Sequence, residues 1–280
     1  MENHLAHPLP PDLQDFHIGL RTVWLGRHLV YYPRTSSTND DARRLAETGA
    51  PEGTLVLADE QTAGRGRMGR RWVAPAGSSL LMSLLLRPHL PPAQLPRLTM
   101  ACGLAMSEAV EEISGVRPSL KWPNDLLVGP KKLAGILTEM AMAGEQADFV
   151  IVGIGVNVNG RPAAGLQTAN DLLTADPSLA HLAARATSLE VEAGRPISRL
   201  TLLWQFLERL EHRYKQVRAG QSPYREWASR LSTLGQMIHV TTAGQTWAGV
   251  AVGVDEDGAL ILRLPDGMEK RILAGDVTLR

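Results

Sequence analysis

Four arginines and three glycines crowd the twelve residues from Gln61 to Trp72, QTAGRGRMGRRW. Guanidinium groups grip phosphate or carboxylate in bidentate fashion, and Gly64, Gly66 and Gly69 let the backbone come close to a ligand, so Arg65, Arg67, Arg70 and Arg71 suit an anion. A flexible Arg-Gly segment has the same composition. The stretch matches neither the G-x-x-x-x-G-K-[ST] loop nor the strand-to-helix setting of a dinucleotide fingerprint, which disfavours a Walker-type ATPase and a Rossmann dehydrogenase. Further on, SLKWPNDLLV (119–128) leaves Lys121, Asn124 and Asp125 around Pro123, either as a phosphate contact with magnesium or ribose ligands or as an ordinary turn. In KKLAGILTEM (131–140), period-two alternation puts Lys132 on one face with Ala134, Ile136 and Thr138, to meet a ligand or to snorkel to solvent, while Gly135 leaves room for close approach. IVGIGVNVNG (151–160) reads as a buried strand delivering Asn157 and Asn159 to its end, for a base edge or for an exit turn.

The surrounding pattern predicts the elements that hold these side chains. Thr38 caps a short helix with Asp40 and Asp41 in its first turn and Gly49 as its stop. Strands are expected over 53–60 and 79–86, with the arginine and glycine loop between them. Leu95, Leu98, Cys102, Ala105, Ala109 and Ile113 share one helical face that ends at Gly115 and backs a sheet. Strands over 119–122, 132–140 and 149–158 form a meander. The stretch 172–214 is mostly helical, with Leu200, Leu203, Leu207, Leu210 and Tyr214 at helical spacing, and a shorter segment covers 224–231. After Gly235 short β-rich runs alternate with turn signals, as in a small β-barrel. The expected organisation is a lead segment over 1–30, with a flexible Pro8–Pro11 opening, then a main domain over 31–234 and a barrel over 235–280.

Composition narrows the class. Twenty-nine Lys and Arg balance 29 Asp and Glu, so no global field draws nucleic acid or an anionic membrane, and anion binding has to be local. The single cysteine, Cys102, excludes an internal disulfide and a multi-cysteine zinc site and agrees with a reducing, cytoplasmic setting. The N-terminus lacks the pattern of a signal peptide, and no run reaches the length of a membrane span.

Taken together, STN (37–39), QTAGRGRMGRRW (61–72), KWPND (121–125), KKLAGIL (131–137) and GIGVNVN (153–159) resemble the biotin protein ligases, in that family's order and over nearly the whole chain. The resemblance implies an α+β fold: a class II aminoacyl-tRNA synthetase-like mixed sheet with flanking helices, and a C-terminal SH3-like barrel. It implies ATP and Mg2+ with biotin as substrate, formation of biotinyl-5′-AMP, and transfer of biotin to a lysine of a biotin carboxyl carrier protein. It assigns catalysis to Arg67, Lys132 and Lys121. It places biotin among Ser37, Thr38, Asn39, Gln61, Gly64, Arg65, Gly66, Arg67 and Lys132, and the nucleotide among Arg65, Arg67, Arg70, Trp72, Lys121, Asn124 and Asn157, with Asp125 as magnesium ligand. The segment ahead of Ser36 is too short for the winged helix-turn-helix of bifunctional members, so no DNA partner is expected. The oligomeric state implied is monomer or homodimer. The competing readings are a lipoate or octanoate transferase of the same superfamily and a non-catalytic, nucleotide-responsive module.

Overall fold

The computed structural model describes residues 7–160, 185–242 and 244–279. Strands β1 (Leu29–Thr35), β2 (Leu55–Gln61), β3 (Ser79–Leu86), β4 (Ser119–Lys121), β5 (Asp125–Val128), β6 (Lys131–Ala143) and β7 (Gln146–Asn157) form one mixed sheet in the order β1-β2-β3-β7-β6-β5-β4. β1 and β2 run parallel, and the other neighbours are antiparallel. β4 to β7 are the expected meander. The pattern missed two strands. β1 carries Pro33 in mid-run, which only an edge strand tolerates, and β5 follows directly on the turn at Pro123.

Alternation along the strands builds two faces. Leu55, Leu57, Leu80, Met82, Leu84, Val152, Ile154, Val156, Ala134 and Ile136 point into the main core, against α3 (Pro96–Ser114). A second long helix packs on α3 from the far side of that layer. On the opposite face, Val30, Val56, Leu85, Phe149 and Ile151 form a small second core with Ala42 and Ala46 of α2 (Thr38–Glu47). Since α2 has only ten residues, it covers only part of this face. Its uncovered remainder is Gly153, Gly155 and Gly135, with Asn157 at the strand end.

Leu98, Cys102, Ala105 and Ala109 are all buried in α3, and Gly115 ends the helix at φ +73°. Of the helical stretch expected over 172–214, residues 172–184 lie outside the described residues. The rest holds α4 (Leu189–Ala193) and α5 (Arg199–Arg218), the helix that packs on α3. A short α6 (Tyr224–Ser229) follows. Residues assigned by the sequence to a lead segment contribute to the core. Leu13, Phe16, Leu20 and Leu25 are buried around the one-turn α1 (Phe16–Gly19), and Asp12 pairs with the buried Arg199 at 2.7 Å.

The C-terminal unit has five antiparallel strands: β8 (Met237–Thr242), β9 (Gln245–Val254), β10 (Leu260–Arg263), β11 (Glu269–Ile272) and β12 (Asp276–Leu279). Their order is β11-β10-β9-β8-β12. Of the expected SH3-like barrel the structure shows a five-stranded antiparallel sheet that is not closed, since β11 and β12 form opposite edges with no pairing between them among the described residues. The three-residue link between them still holds those edges within about 14 Å, which requires a strongly curled sheet. Ile238, Val240, Leu260 and Leu262 belong to the same core as α3. Trp122 Nε1 donates to the Gly258 carbonyl at 2.9 Å, and Arg97 on α3 pairs with Asp257 at 2.8 Å, so the two units pack as one body.

Candidate active site

A cavity of about 420 Å³ opens over the uncovered face of the main sheet, bounded by α2, the arginine and glycine segment, the β4–β5 turn and the start of β12. Every site residue expected from the sequence lines it except Gly64. A Cβ at Gly64 would stand 2.5 Å from the Trp72 carbonyl oxygen, and its own carbonyl accepts from Trp72 N at 2.9 Å. Gly64 thus closes the base of a strap. The strap folds back on itself through the Arg65–Arg71 bridge and Gly66 N donating to Arg70 O at 2.7 Å, and reverses at Met68 and Gly69, both left-handed.

The polar end of the cavity is built at the start of α2. The N-cap is Ser37, one residue before the expected Thr38, and its side chain makes no capping bond. Gln61, at the end of β2, supplies the acceptor: its Oε1 takes the Thr38 backbone N–H at 2.7 Å and stands 3.1 Å from Thr38 Oγ1. Asn39 donates through Nδ2 to Glu139 Oε2 at 2.9 Å, and its Oδ1 accepts from Ser83 Oγ at 2.6 Å. It sits so close to Gly153 that a Cβ there would overlap Oδ1. Ser83 and Glu139 escaped the sequence reading. Ser83 breaks the apolar run SLLMSLLL and Glu139 is the one acid in KKLAGILTEMAMA, and these interruptions were the available signals.

The cationic end takes residues from three segments. Lys132 was expected on the face of Ala134 and Ile136, but it lies on the other face. Pairing of β5 with β6 jumps from Leu126–Ala134 to Leu127–Lys132, which leaves Leu133 as an extra, bulged residue. A bulge of one residue reverses the alternation before it. Lys132 therefore joins Gly135: its Nζ would be 3.1 Å from a Cβ at that position, and it lies 5.6 Å from the Trp72 ring centroid. The indole lies across Gly155 and Gly135, and its Nε1 is buried without a partner among the described residues.

Lys132 Nζ is 2.6 Å from Asp125 Oδ1, so the carboxylate expected to ligate magnesium is paired with Lys132. Among the described residues no group of three His, Cys, Asp or Glu could hold a metal ion. Asn124 is also partly committed: Nδ2 donates to Ile136 O at 2.6 Å, while Oδ1 receives Arg67 at 3.5 Å. Burial pulls the Lys121 ammonium below its ordinary value against the opposing pull of Asp125 and Asp276, and burial does the same to Arg67. Two of the three other strap arginines are tied to protein acids. Arg65 makes a bidentate pair with Asp40 at 2.6 and 2.7 Å, and Arg70 pairs with Asp276 at the start of β12. Asn157 donates to Thr187 O at 3.0 Å, leaving Oδ1 for a ligand, whereas Asn159 is tied to the distant Ile197 by two 2.9 Å bonds. Arg67, Lys121 and Lys132 thus converge on one cavity beside a neutral hydrogen-bonding pocket, an arrangement for holding a polyanion next to a second, uncharged polar group.

Such a fold and site define a ligase that activates an acid with a nucleotide. Residues 31–157 match the Biotin/lipoate A/B protein ligase family, and residues 233–280 match the Biotin protein ligase C terminal domain. The chain is 38% identical over 267 residues to the bifunctional ligase/repressor BirA of Bacillus subtilis, covering 95% of this chain and 78% of that protein. It is 34% identical to the biotin--[acetyl-CoA-carboxylase] ligase of Mycobacterium tuberculosis, covering 95% of this chain and 93% of that protein. The biotin protein ligase from Aquifex aeolicus, solved in complex with biotin and ATP, superposes with a TM-score of 0.72 at 32% identity, over 90% of this chain and 98% of that one. The chain belongs to the biotin protein ligases.

Proposed function

We propose a division of labour within the cavity for the two steps of a biotin protein ligase, ATP-dependent formation of biotinyl-5′-AMP and transfer of biotin to a carboxyl carrier protein lysine. A carboxylate does not acylate an amine at neutral pH because its leaving group is too poor, so it first becomes a mixed anhydride with AMP. In the first step a biotin carboxylate oxygen attacks the α-phosphorus of ATP, and pyrophosphate departs with the bonding electrons of the α–β bridge. In the second the lysine amine attacks the acyl carbon and AMP leaves with the anhydride oxygen.

The biotin ureido ring lies between Ser37–Asn39 and Gln61, whose hydroxyl and amide groups match its donors and acceptors. Arg67 and Lys132 sit where carboxylate and α-phosphate meet, and Lys121 serves the outer phosphates. Neutralising two mutually repelling anions and aligning them in a dry cleft lowers the barrier to their reaction. Trp72 stacks on adenine and offers its unpartnered Nε1–H, and Asn157 offers Oδ1. Arg65 and Arg70 act through the strap they pin rather than by gripping phosphate. Asp125, the residue expected to hold magnesium, is paired with Lys132; magnesium accompanying ATP would supply charge neutralisation at the phosphates. The buried Cys102, its thiol pushed up to about 12 by desolvation, fits a cytoplasmic setting, and no helix among the described residues is long and apolar enough to cross a membrane. The curled C-terminal sheet stands where an SH3-like barrel would, and its Asp276 faces the cationic cluster.

The observation that carries this reading is the convergence of Arg67, Lys121 and Lys132, drawn from three separate segments, beside the Ser37–Asn39 pocket. Pyrophosphate release in the presence of ATP and biotin, but not lipoate, is the expected result, followed by a mass increase of a carrier domain on a lysine. Release with lipoate alone would sink the reading.

A further inference from the structure

At the polar end of the cavity the hydrogen bonds can be counted proton by proton. Asn39 is 4% exposed and has a charged partner on one side only, Glu139 at 2.9 Å from Nδ2. A carboxylate accepts and does not donate, so Glu139 dictates which end of the Asn39 amide carries the protons. Oδ1 must then face Ser83, whose single hydroxyl proton goes to it at 2.6 Å. The 2.7 Å contact between Ser83 and Thr38 draws on the same Ser83 proton, and Thr38 Oγ1 gives its own proton to Gln61 Oε1 at 3.1 Å. Gln61 Oε1 is occupied by the Thr38 backbone N–H, so the free end of the Gln61 amide is Nε2, a donor. One acceptor-only group outside the expected site thereby fixes the Asn39 amide and the Ser83 hydroxyl, and leaves the second Asn39 Nδ2 proton for an acceptor in the cavity that Asn39 lines.

We propose that Glu139 is a positioning residue that sets the hydrogen-bond polarity of the biotin head pocket through Asn39 and Ser83, and so selects a urea oxygen as acceptor. The inference rests on the biotin reading above. Glu139 lies on β6 and Ser83 on β3, at the neutral end of the cavity, apart from the cations that meet the nucleotide. Arg65 reaches Glu139 only at 3.5 Å and is held bidentately by Asp40, so the strap does not depend on this carboxylate. Replacement by glutamine keeps the size but supplies a donor as well as an acceptor, which frees the Asn39 amide to turn over.

The test is pyrophosphate release, titrating biotin at saturating ATP and ATP at saturating biotin. Glu139→Gln should raise the KM for biotin about tenfold or more, with the KM for ATP unchanged within about twofold. It should also narrow the preference for biotin over 2-iminobiotin, which presents a donor where the urea presents an acceptor. Glu139→Asp, which keeps an acceptor-only group, should recover most of the biotin affinity. If Glu139→Gln does not fold, Ser83→Ala serves in its place and should show the same biotin-only change. An unchanged biotin KM, an equal rise in both KM values, or a Glu139→Asp no better than Glu139→Gln overturns the assignment. Wild-type protein is assayed alongside: its turnover of biotin tests the functional reading separately from the variants.

Discussion

The Trp72 indole rests on Gly155: a Cβ at position 155 would stand 2.5 Å from Trp72 Cε2 and 2.7 Å from Cζ2. Gly155 does not need its glycine backbone, since its φ lies outside the left-handed region, so Gly155→Ala changes the fit of one ring and not the chain path. The expected outcome is a folded protein whose KM for ATP rises by about an order of magnitude, as loss of one base–aromatic stack implies. Steady-state kinetics against ATP and biotin check it, and an unaltered ATP KM would remove Trp72 from the nucleotide site.

Lys132 has a half-exposed side chain and one ion partner, so its removal should leave the fold intact while disabling the chemistry. Lys132→Ala is expected to lower the rate of adenylate formation by about 10² to 10³-fold, the range for losing one preorganised charge at a developing anion. Thermal unfolding and single-turnover pyrophosphate release on the same preparation separate the two effects.

The depressed pKa of Lys121 has opposite consequences for activity and stability. Its ammonium is disfavoured by burial, so the unfolded chain holds this proton more tightly than the folded one. Its contribution to stability therefore rises with pH between the folded value and the ordinary lysine value, where activity falls as the charge is lost. A triphosphate in the cavity favours the charged form. The alkaline limb should appear in kcat/KM for ATP at lower pH than in kcat. In Lys121→Arg it should move to higher pH, which pH–rate profiles would show.

Arg65–Asp40 and Arg70–Asp276 pin opposite ends of the strap, one to α2 and one to the C-terminal sheet. Both pairs are partly exposed, so each contributes only about 0.5 kcal/mol to global stability. Their effect is local. Amide exchange over 64–71 should slow on adding biotin with ATP, and should quicken in ligand-free Asp276→Asn with the rest of the exchange map unchanged.

Far from the cavity, Glu211 on α5 accepts the backbone N–H groups of Val23, Trp24 and Leu25 at 3.0 to 3.1 Å. Burial alone would raise its pKa, but these bonds, with Lys215, outweigh burial and hold it below the ordinary value. The stabilisation is present above the unfolded carboxylate pKa of 4.5 and is lost as pH falls through the lower folded value. Glu211→Ala is expected to cost about 3 kcal/mol at neutral pH through orphaned backbone donors, and less in acid, by denaturant titration at both pH values.

Local periodicity and turn chemistry were enough to determine much of this protein. The buried stripe of α3 and its stop at Gly115, the antiparallel meander and the β-rich end were legible because each depends on neighbours a few residues apart, whereas the five segments carrying the site were ambiguous singly and read as one site through their joint resemblance to the biotin protein ligases. Residue type offered the strap arginines, Lys121 and Lys132 as anion contacts, and the resemblance to the biotin protein ligases singled out Arg67, Lys121 and Lys132. Tertiary structure decided what periodicity cannot carry. The bulge at Leu133 turns Lys132 into the cavity, and it shows only once β5 is paired with β6. Glu139 meets Asn39 across a hundred positions of sequence. Arg65 and Arg70 look identical to Arg67 in the strap, but pairing with Asp40 and Asp276 makes them anchors while Arg67 stays available. The C-terminal strands read as a barrel, but hydrogen-bond closure depends on whether β11 and β12 meet in space. A side chain's type is written in the chain, but its partner is set by which distant segments packing brings within about 3 Å.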